Sequence, residues 1–429
     1  MTQLAYRVLH NIVPALALGL LLPFTVHSAE PLSIKADKDT EIGLEIYPAD
    51  GRLLLVWQPH EIGTQAIDQQ LARQLAAQGI EVWLTDILEA YFLPNTESNM
   101  DRVPAAGYAA VLEAASRTGK TVVLAASGRG AIPVLRGMHQ WQQQHPGATA
   151  LGGLILLSPK LFVETPDPGE TARLMPIAQA TNQTILIMQP DKSPWYWKLD
   201  QTLAALQQGG SDVFLWPLRG VRDRFYFRPD ATDHEQTATA RLGNNLAHAA
   251  RLLARTPPLP RRASALEQIE PLTREGKKER QLQAYKGDPQ PAPLALPDLR
   301  GKTLDLRAMK GQVVLVNFWA SWCPPCVHEM PSMQRLQDHF KAAAFTILGV
   351  NMAEDKVTIQ RFLREKVSVK FPIALDRDGQ ALKAWGVFAF PTSYVIDKQG
   401  RIRYALFGAV EWDTPDIKEK IQRLLDEPL

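Results

Sequence analysis

The chain predicts an α/β protein in two parts, a mostly parallel sheet covered by helices and then a second, smaller α/β unit. Three observations carry that prediction. Between residues 29 and 255, short apolar runs alternate with helical patterns, which is how a parallel sheet buried on both faces is written. Between residues 256 and 290 the periodicity stops, replaced by Pro257-Pro258, Pro260, Arg261-Arg262, Lys277-Lys278-Glu279-Arg280 and Pro289-Gln290. From residue 291 to 429 it resumes, and a β-branched run over 313–319 passes through a short turn into an amphipathic run ending at Phe340.

Arg7 and His10 precede an apolar stretch from Ile12 to Val26, broken by Pro14 and Pro23, with Val26-His27-Ser28 before Ala29. Residues 1–28 therefore read as an export signal. An uncleaved inner-membrane anchor is the alternative, although a spanning helix calls for about 20 apolar residues. A formal charge of +2 with 45% hydrophobic residues gives no basic stripe for nucleic acid and no acidic tail. The chain holds only two cysteines. An exported protein with one dithiol and no structural disulfides suits a bacterial periplasm.

Strands are expected at residues 53–57, 80–84, 122–124, 154–157, 185–188 and 213–215, with helices at 68–78, 105–117 and 132–144 between them. This order, above all residues 122–136, resembles an α/β-hydrolase. A hydrolase nucleophile sits on a strained strand-to-helix turn that needs small residues two before and two after it. Ala126 and Gly130 meet that rule around Gly128, so the nucleophile position is a glycine. Shifting the register to Ser127 puts Arg129 at the crowded position. The acid position falls on Ser193 with Asp191 two residues early, and the loop from Gly220 to Phe225 lacks the histidine, the nearest being His234. The resemblance thus implies a domain over 29–255 that has lost hydrolysis and survives as a binding or spacing module. A live serine hydrolase using Ser127, Asp191 and His234 is the alternative. His60 and Trp195-Tyr196-Trp197 are candidates for a residual pocket, or for core packing. Residues 256–290 read as a polar, semi-stiff linker in which residues 264–269 form a short helix, with Ser264 and Glu267 at capping-box spacing.

Both cysteines lie in Trp322-Cys323-Pro324-Pro325-Cys326. Cys323 is expected at a helix N-terminus, where unpaired N–H groups and the helix dipole favour the thiolate over the thiol. Cys323 is then the nucleophile, and Cys326, one turn in, resolves the mixed disulfide. A structural zinc site needs four ligands, and only His328 stands nearby. A staple closing two residues would stabilise little by loop entropy. The Pro-Pro pair restricts the backbone and removes N–H donors beside Cys323.

The motif, together with Glu329, Met330-Pro331 and Phe390-Pro391-Thr392 ahead of a strand at 393–397, resembles the TlpA/ResA group of extracytoplasmic thiol-disulfide oxidoreductases. The resemblance covers residues 291–429 and implies a thioredoxin fold. It implies further that Pro391 is cis beside the dithiol, so that the preceding backbone pairs with a substrate strand, and that Trp322 and Phe390 contact that substrate. Asn317 stands where cytoplasmic thioredoxins carry a buried acid, and the group resembled here uses a helix glutamate, matching Glu329. Glu329 could then move a proton to or from Cys326, if its carboxyl pKa is raised in a partly apolar pocket; a solvated first-turn glutamate is the alternative. A peroxiredoxin would carry Thr and Pro upstream of its cysteine instead. Expected partners are exported proteins with disulfides, such as apocytochromes or copper-site assembly proteins, and a membrane electron-transfer partner that re-reduces the dithiol. No cofactor or metal is called for. A copper chaperone using Cys323, Cys326 and His328 is the alternative of a different class.

Overall fold

The computed structural model describes residues 30–170, 172–256, 260–266 and 281–428, so the signal expected over residues 1–28 lies outside them. The first sheet comprises β1 (Glu30–Lys35), β2 (Glu41–Tyr47), β3 (Leu53–Gln58), β4 (Ile80–Thr85), β5 (Thr121–Ser127), β6 (Leu151–Leu157), β7 (Thr184–Lys192) and β8 (Asp212–Arg222). Its order is β1-β2-β4-β3-β5-β6-β7-β8. β2 is antiparallel to both β1 and β4, and all other neighbours are parallel. The pleat of β5 feeds two cores. Val122, Leu124 and Ala126 pack with Tyr108, Leu112, Leu135 and Met138, while Val123 and Ala125 turn the other way onto Leu71, Leu246 and Ala250.

The expected strands and helices are present, and the helices fall at Ala66–Ala76, Ala105–Ser116 and Ala131–Gln144. Two strands of this sheet had no expectation. β1 and β2 form an edge hairpin half open to solvent, and Glu30, Lys35, Glu41 and Glu45 interrupt its apolar content. β8 also runs beyond Leu215 to Arg222, through residues that resemble a loop in sequence, because β7 continues beside it with a register shift between Pro190 and Lys192. The helix Asp233–Arg255 follows, closed at its start by a Thr232/Glu235 capping box.

Residues 260–266 lie on this first unit. Arg261 donates to the carbonyls of Asn182 and Gly210 and pairs with Asp212 at 2.6 Å. No helix forms at residues 264–266, where His139 Nε2 lies 2.7 Å from the Ser264 carbonyl; the rest of that expected helix is outside the described residues.

The second unit contains β9 (Gln283–Ala284), β10 (Ala295–Pro297), β11 (Thr303–Asp305), β12 (Val313–Trp319), β13 (Phe345–Met352), β14 (Ile373–Asp376), β15 (Thr392–Ile396) and β16 (Ile402–Phe407). The six-stranded sheet has the order β14-β13-β12-β15-β16-β9, with β10 and β11 paired apart. β12 is central, parallel to β13 and antiparallel to β15, and buried along its whole length. One face carries the helices Pro324–His339 and Pro415–Asp426 through Met330, Met333, Leu336, Ile417 and Ile421. The other packs Val316, Phe318 and Leu348 against Leu382 and Trp385. No helix among the described residues is long and apolar enough to cross a membrane.

Candidate active site

β12 ends at Trp319, and the turn through Ala320 and Ser321 delivers Cys323 as the N-cap of the helix Pro324–His339. Glu354 holds that turn, accepting from the Ser321 N–H at 2.7 Å, the Ser321 hydroxyl and Asn351 Nδ2. The cap acceptor is sulfur: Cys323 Sγ accepts from the Cys326 N–H at 3.3 Å, the role an oxygen side chain usually fills. Pro324 and Pro325 bring no N–H, so the N–H of Cys326 is the first amide after Cys323 that can face its sulfur. The two cysteines are joined, with Sγ–Sγ 2.07 Å. Cys326 is fully buried, whereas Cys323 keeps 6% of its surface, so an incoming thiol or disulfide reaches Cys323 first.

Glu329 follows Cys326 by three residues and therefore shares its helix face. It is 1% exposed, which overturns the solvated alternative. Asn317 Nδ2 donates to one carboxyl oxygen at 2.8 Å and Trp412 Nε1 to the other at 3.0 Å. Burial pushes the Glu329 pKa up to about 7, against the pull of donors from Trp412, Asn317 and the Val410 backbone. Asn317 reaches Ser393 Oγ as well, at 2.9 Å, and Ser332 Oγ accepts from the Trp412 N–H. The helix continues through Pro331 to His339.

The Phe390-Pro391 peptide is cis. The rings of Phe390 and Trp322 meet edge to face with centroids 5.7 Å apart. The structure therefore brings Trp322 and Phe390 together, and Cys323, Cys326 and Glu329 onto one helix start. His328 is exposed, and among the described residues no group of three or more His, Cys, Asp or Glu is placed to hold a metal. Nothing in the local sequence pattern marks Trp412, Ser393 or Glu354 as part of the site. Trp412 is 83 residues from its partner Glu329 in a loop without periodicity, and a lone tryptophan there signals nothing but bulk.

In the first unit, Ser127, Asp191 and His234 are not brought together. Ser127 Oγ accepts from Tyr226 at 2.8 Å, Asp191 from the Gly220 N–H at 2.7 Å, and His234 Nε2 lies 2.9 Å from the Arg219 carbonyl. Gly128 occupies the turn apex at φ 56°. The next N–H, that of Arg129, donates to Glu61 Oε2 at 2.9 Å. Burial would raise the Glu61 pKa, but His60 at 3.0 Å and Lys160 at 2.6 Å pull it well below the usual range. Burial also lowers the pKa of His60.

A family model described as AhpC/TSA matches residues 287–405. The thiol-disulfide oxidoreductase ResA of Geobacillus thermodenitrificans is 36% identical over 129 residues, covering 30% of this chain and 72% of the relative. The ResA of Bacillus thuringiensis subsp. konkukian is 38% identical over 105 residues, covering 24% of this chain and 60% of the relative's length. Among solved structures, a putative thiol:disulfide interchange protein DsbE from Chlorobium tepidum is 31% identical, covering 34% of this chain and 99% of that one, with a TM-score of 0.31. A dithiol at a helix N-cap, a buried glutamate one turn on and a cis-proline loop thus come with a relative covered over most of its length, and through residues of its second unit the chain belongs to the ResA family of thiol-disulfide oxidoreductases.

Proposed function

We propose that this protein exchanges disulfides outside the cytoplasm, in the periplasm, and acts as a reductant of disulfides in exported proteins. The observation that carries this reading is the asymmetry of the pair, Cys323 at the helix mouth and Cys326 fully buried behind it. In the reduced protein, the Cys323 thiolate attacks one sulfur of the substrate bridge, and the other sulfur leaves as a thiolate. Cys326 then gives up its proton and attacks Cys323 Sγ, which releases the second substrate thiol and forms the internal disulfide. Two electrons pass from the dithiol to the substrate. Glu329, on the same helix face and titrating near neutrality, is the group suited to take the Cys326 proton. The backbone before Pro391 offers an edge for an extended substrate segment, with Trp322 and Phe390 beside it.

A membrane electron-transfer partner would restore the dithiol. Apocytochromes and copper-site assembly proteins are fitting substrates because their cysteines must be reduced before they bind haem or metal. The test is an insulin-reduction assay beside equilibration of the Cys323/Cys326 couple against glutathione. Turnover with a potential well below that of glutathione is expected, while a strongly oxidising potential would make the protein a disulfide donor.

For the first unit we infer an α/β-hydrolase-like fold without hydrolysis. What supports this is Gly128 at the nucleophile position and the Glu61 carboxylate on the Arg129 N–H, where a hydrolase needs a free donor for its oxyanion. The expected result on a panel of chromogenic esters is no turnover. Turnover that disappears in Ser127→Ala would revive the hydrolase reading.

A further inference from the structure

The mechanism makes no use of the first unit, yet the loops after β6 and β7 and the end of β8 reach the dithiol end of the second unit. These loops leave the C-terminal ends of parallel strands, where open α/β sheets usually take a ligand. Here a side chain of the other unit is received instead. Phe162 and Trp195 stack with centroids 5.0 Å apart. Phe388 closes on both, at 6.3 Å and 6.0 Å, and Lys198 Nζ sits 4.6 Å over its ring. Lys198 is itself buried and directs Nζ toward the Lys383 carbonyl at 3.4 Å. Phe388 lies three residues before cis-Pro391 and retains only 7% exposure.

A second contact reaches the cysteine turn. Arg222, the last residue of β8, directs Nη1 to the carbonyl of Trp322 at 3.4 Å. The guanidinium cannot swing freely, because Glu235 takes Nε at 2.8 Å and Nη2 at 2.6 Å while Asp230 takes Nη1 at 3.0 Å. These two carboxylates neutralise its charge, so its influence on the dithiol is positional more than electrostatic. The turn that carries Cys323 and the loop that carries Pro391 are therefore both tethered to the first unit.

We propose that the first unit is a specificity wall for the dithiol. Phe162, Trp195 and Lys198 on Phe388, with Arg222 on Trp322, close one flank of the approach to Cys323. Disulfides carried on extended or small segments pass, and disulfides set in the surface of a folded body are turned away. This inference rests on the thiol-disulfide reading above.

The test uses the full chain and two substrates of equal chemistry: a peptide dimer joined by one disulfide, and the same bridge set in the surface of a folded carrier. Trp195→Ala and Lys198→Met each weaken the wall without touching the cysteines. In both variants kcat/KM for the carrier is expected to rise at least five-fold, while that for the peptide dimer stays within two-fold. A carrier-to-peptide ratio at or below the parental value in both overturns the wall. Loss of peptide turnover in the parent itself would instead defeat the thiol-disulfide reading. One measurement needs no variant: alkylation of reduced parent by N-ethylmaleimide and by a maleimide on a 5 kDa polymer. The rate ratio should exceed that of the urea-unfolded chain about ten-fold if the flank is closed, and equal ratios also overturn the proposal.

Discussion

Trp412 donates its indole N–H to Glu329 across 3.0 Å, tying the loop after β16 to the helix that carries the dithiol. The bond keeps the carboxyl beside Cys326 fixed, and it stabilises the charged form that burial opposes. Three donors against burial leave Glu329 near neutrality, the range in which a group can both accept and return a proton at working pH.

Stability of the oxidised protein should fall as pH rises. The folded pKa of Glu329, about 7, lies above its ordinary 4.5, so the folded state binds the proton more tightly than the unfolded chain. The resulting stabilisation is fully present below pH 4.5 and is lost as pH rises through about 7. At about 1.4 kcal/mol per unit the fall is roughly 3 kcal/mol. Urea midpoints at pH 5 and pH 8 measure it, and Glu329→Gln should flatten this slope.

Trp412→Phe should cost about 1–3 kcal/mol by leaving a buried carboxyl oxygen without its donor. Because that donor favours the charged form, its loss moves the Glu329 titration upward. The pH at which exchange rises should shift the same way. An unchanged profile in a folded variant would separate Glu329 from proton transfer.

Cys323→Ser should abolish disulfide reduction, whereas Cys326→Ser should retain the first attack and stall. With a disulfide substrate the latter accumulates a mixed disulfide at Cys323, visible as a reductant-sensitive mass increase. Equal accumulation in the two variants would contradict the assigned roles.

Gly128→Ala should destabilise the first unit. A Cβ there would lie 2.5 Å from Glu61 Oε2 and 2.6 Å from His60 Cδ2, at a φ of 56°. Left-handed backbone and overpacking together put the loss at about 2–4 kcal/mol, measured by thermal unfolding.

How much of this was legible in sequence varies from residue to residue. The strand Val313–Trp319 and the helix start at Cys323 follow from a β-branched run and a local turn, and both stand where the pattern put them. The hairpin of β1 and β2 was missed because half-exposed edge strands carry charges that break apolar alternation. The first unit's Glu61 was missed for another reason. Its carboxylate meets the Arg129 N–H across 68 residues, and nothing local to Pro59-His60-Glu61 marks a buried acid.

Sequence alone determined the dithiol and the unequal settings of its two sulfurs, because they are three residues apart and the helix that separates their environments begins between them. Tertiary structure decided the rest of the chemistry. Glu329 is protonatable near neutrality only because Asn317, 12 residues before it, and Trp412, 83 after, meet it in a pocket that excludes water. Arg222 meets Trp322 across 100 residues for the same reason. Such contacts depend on which strand lies beside which, and strand neighbours are set by the burial of the whole sheet, not by any one segment.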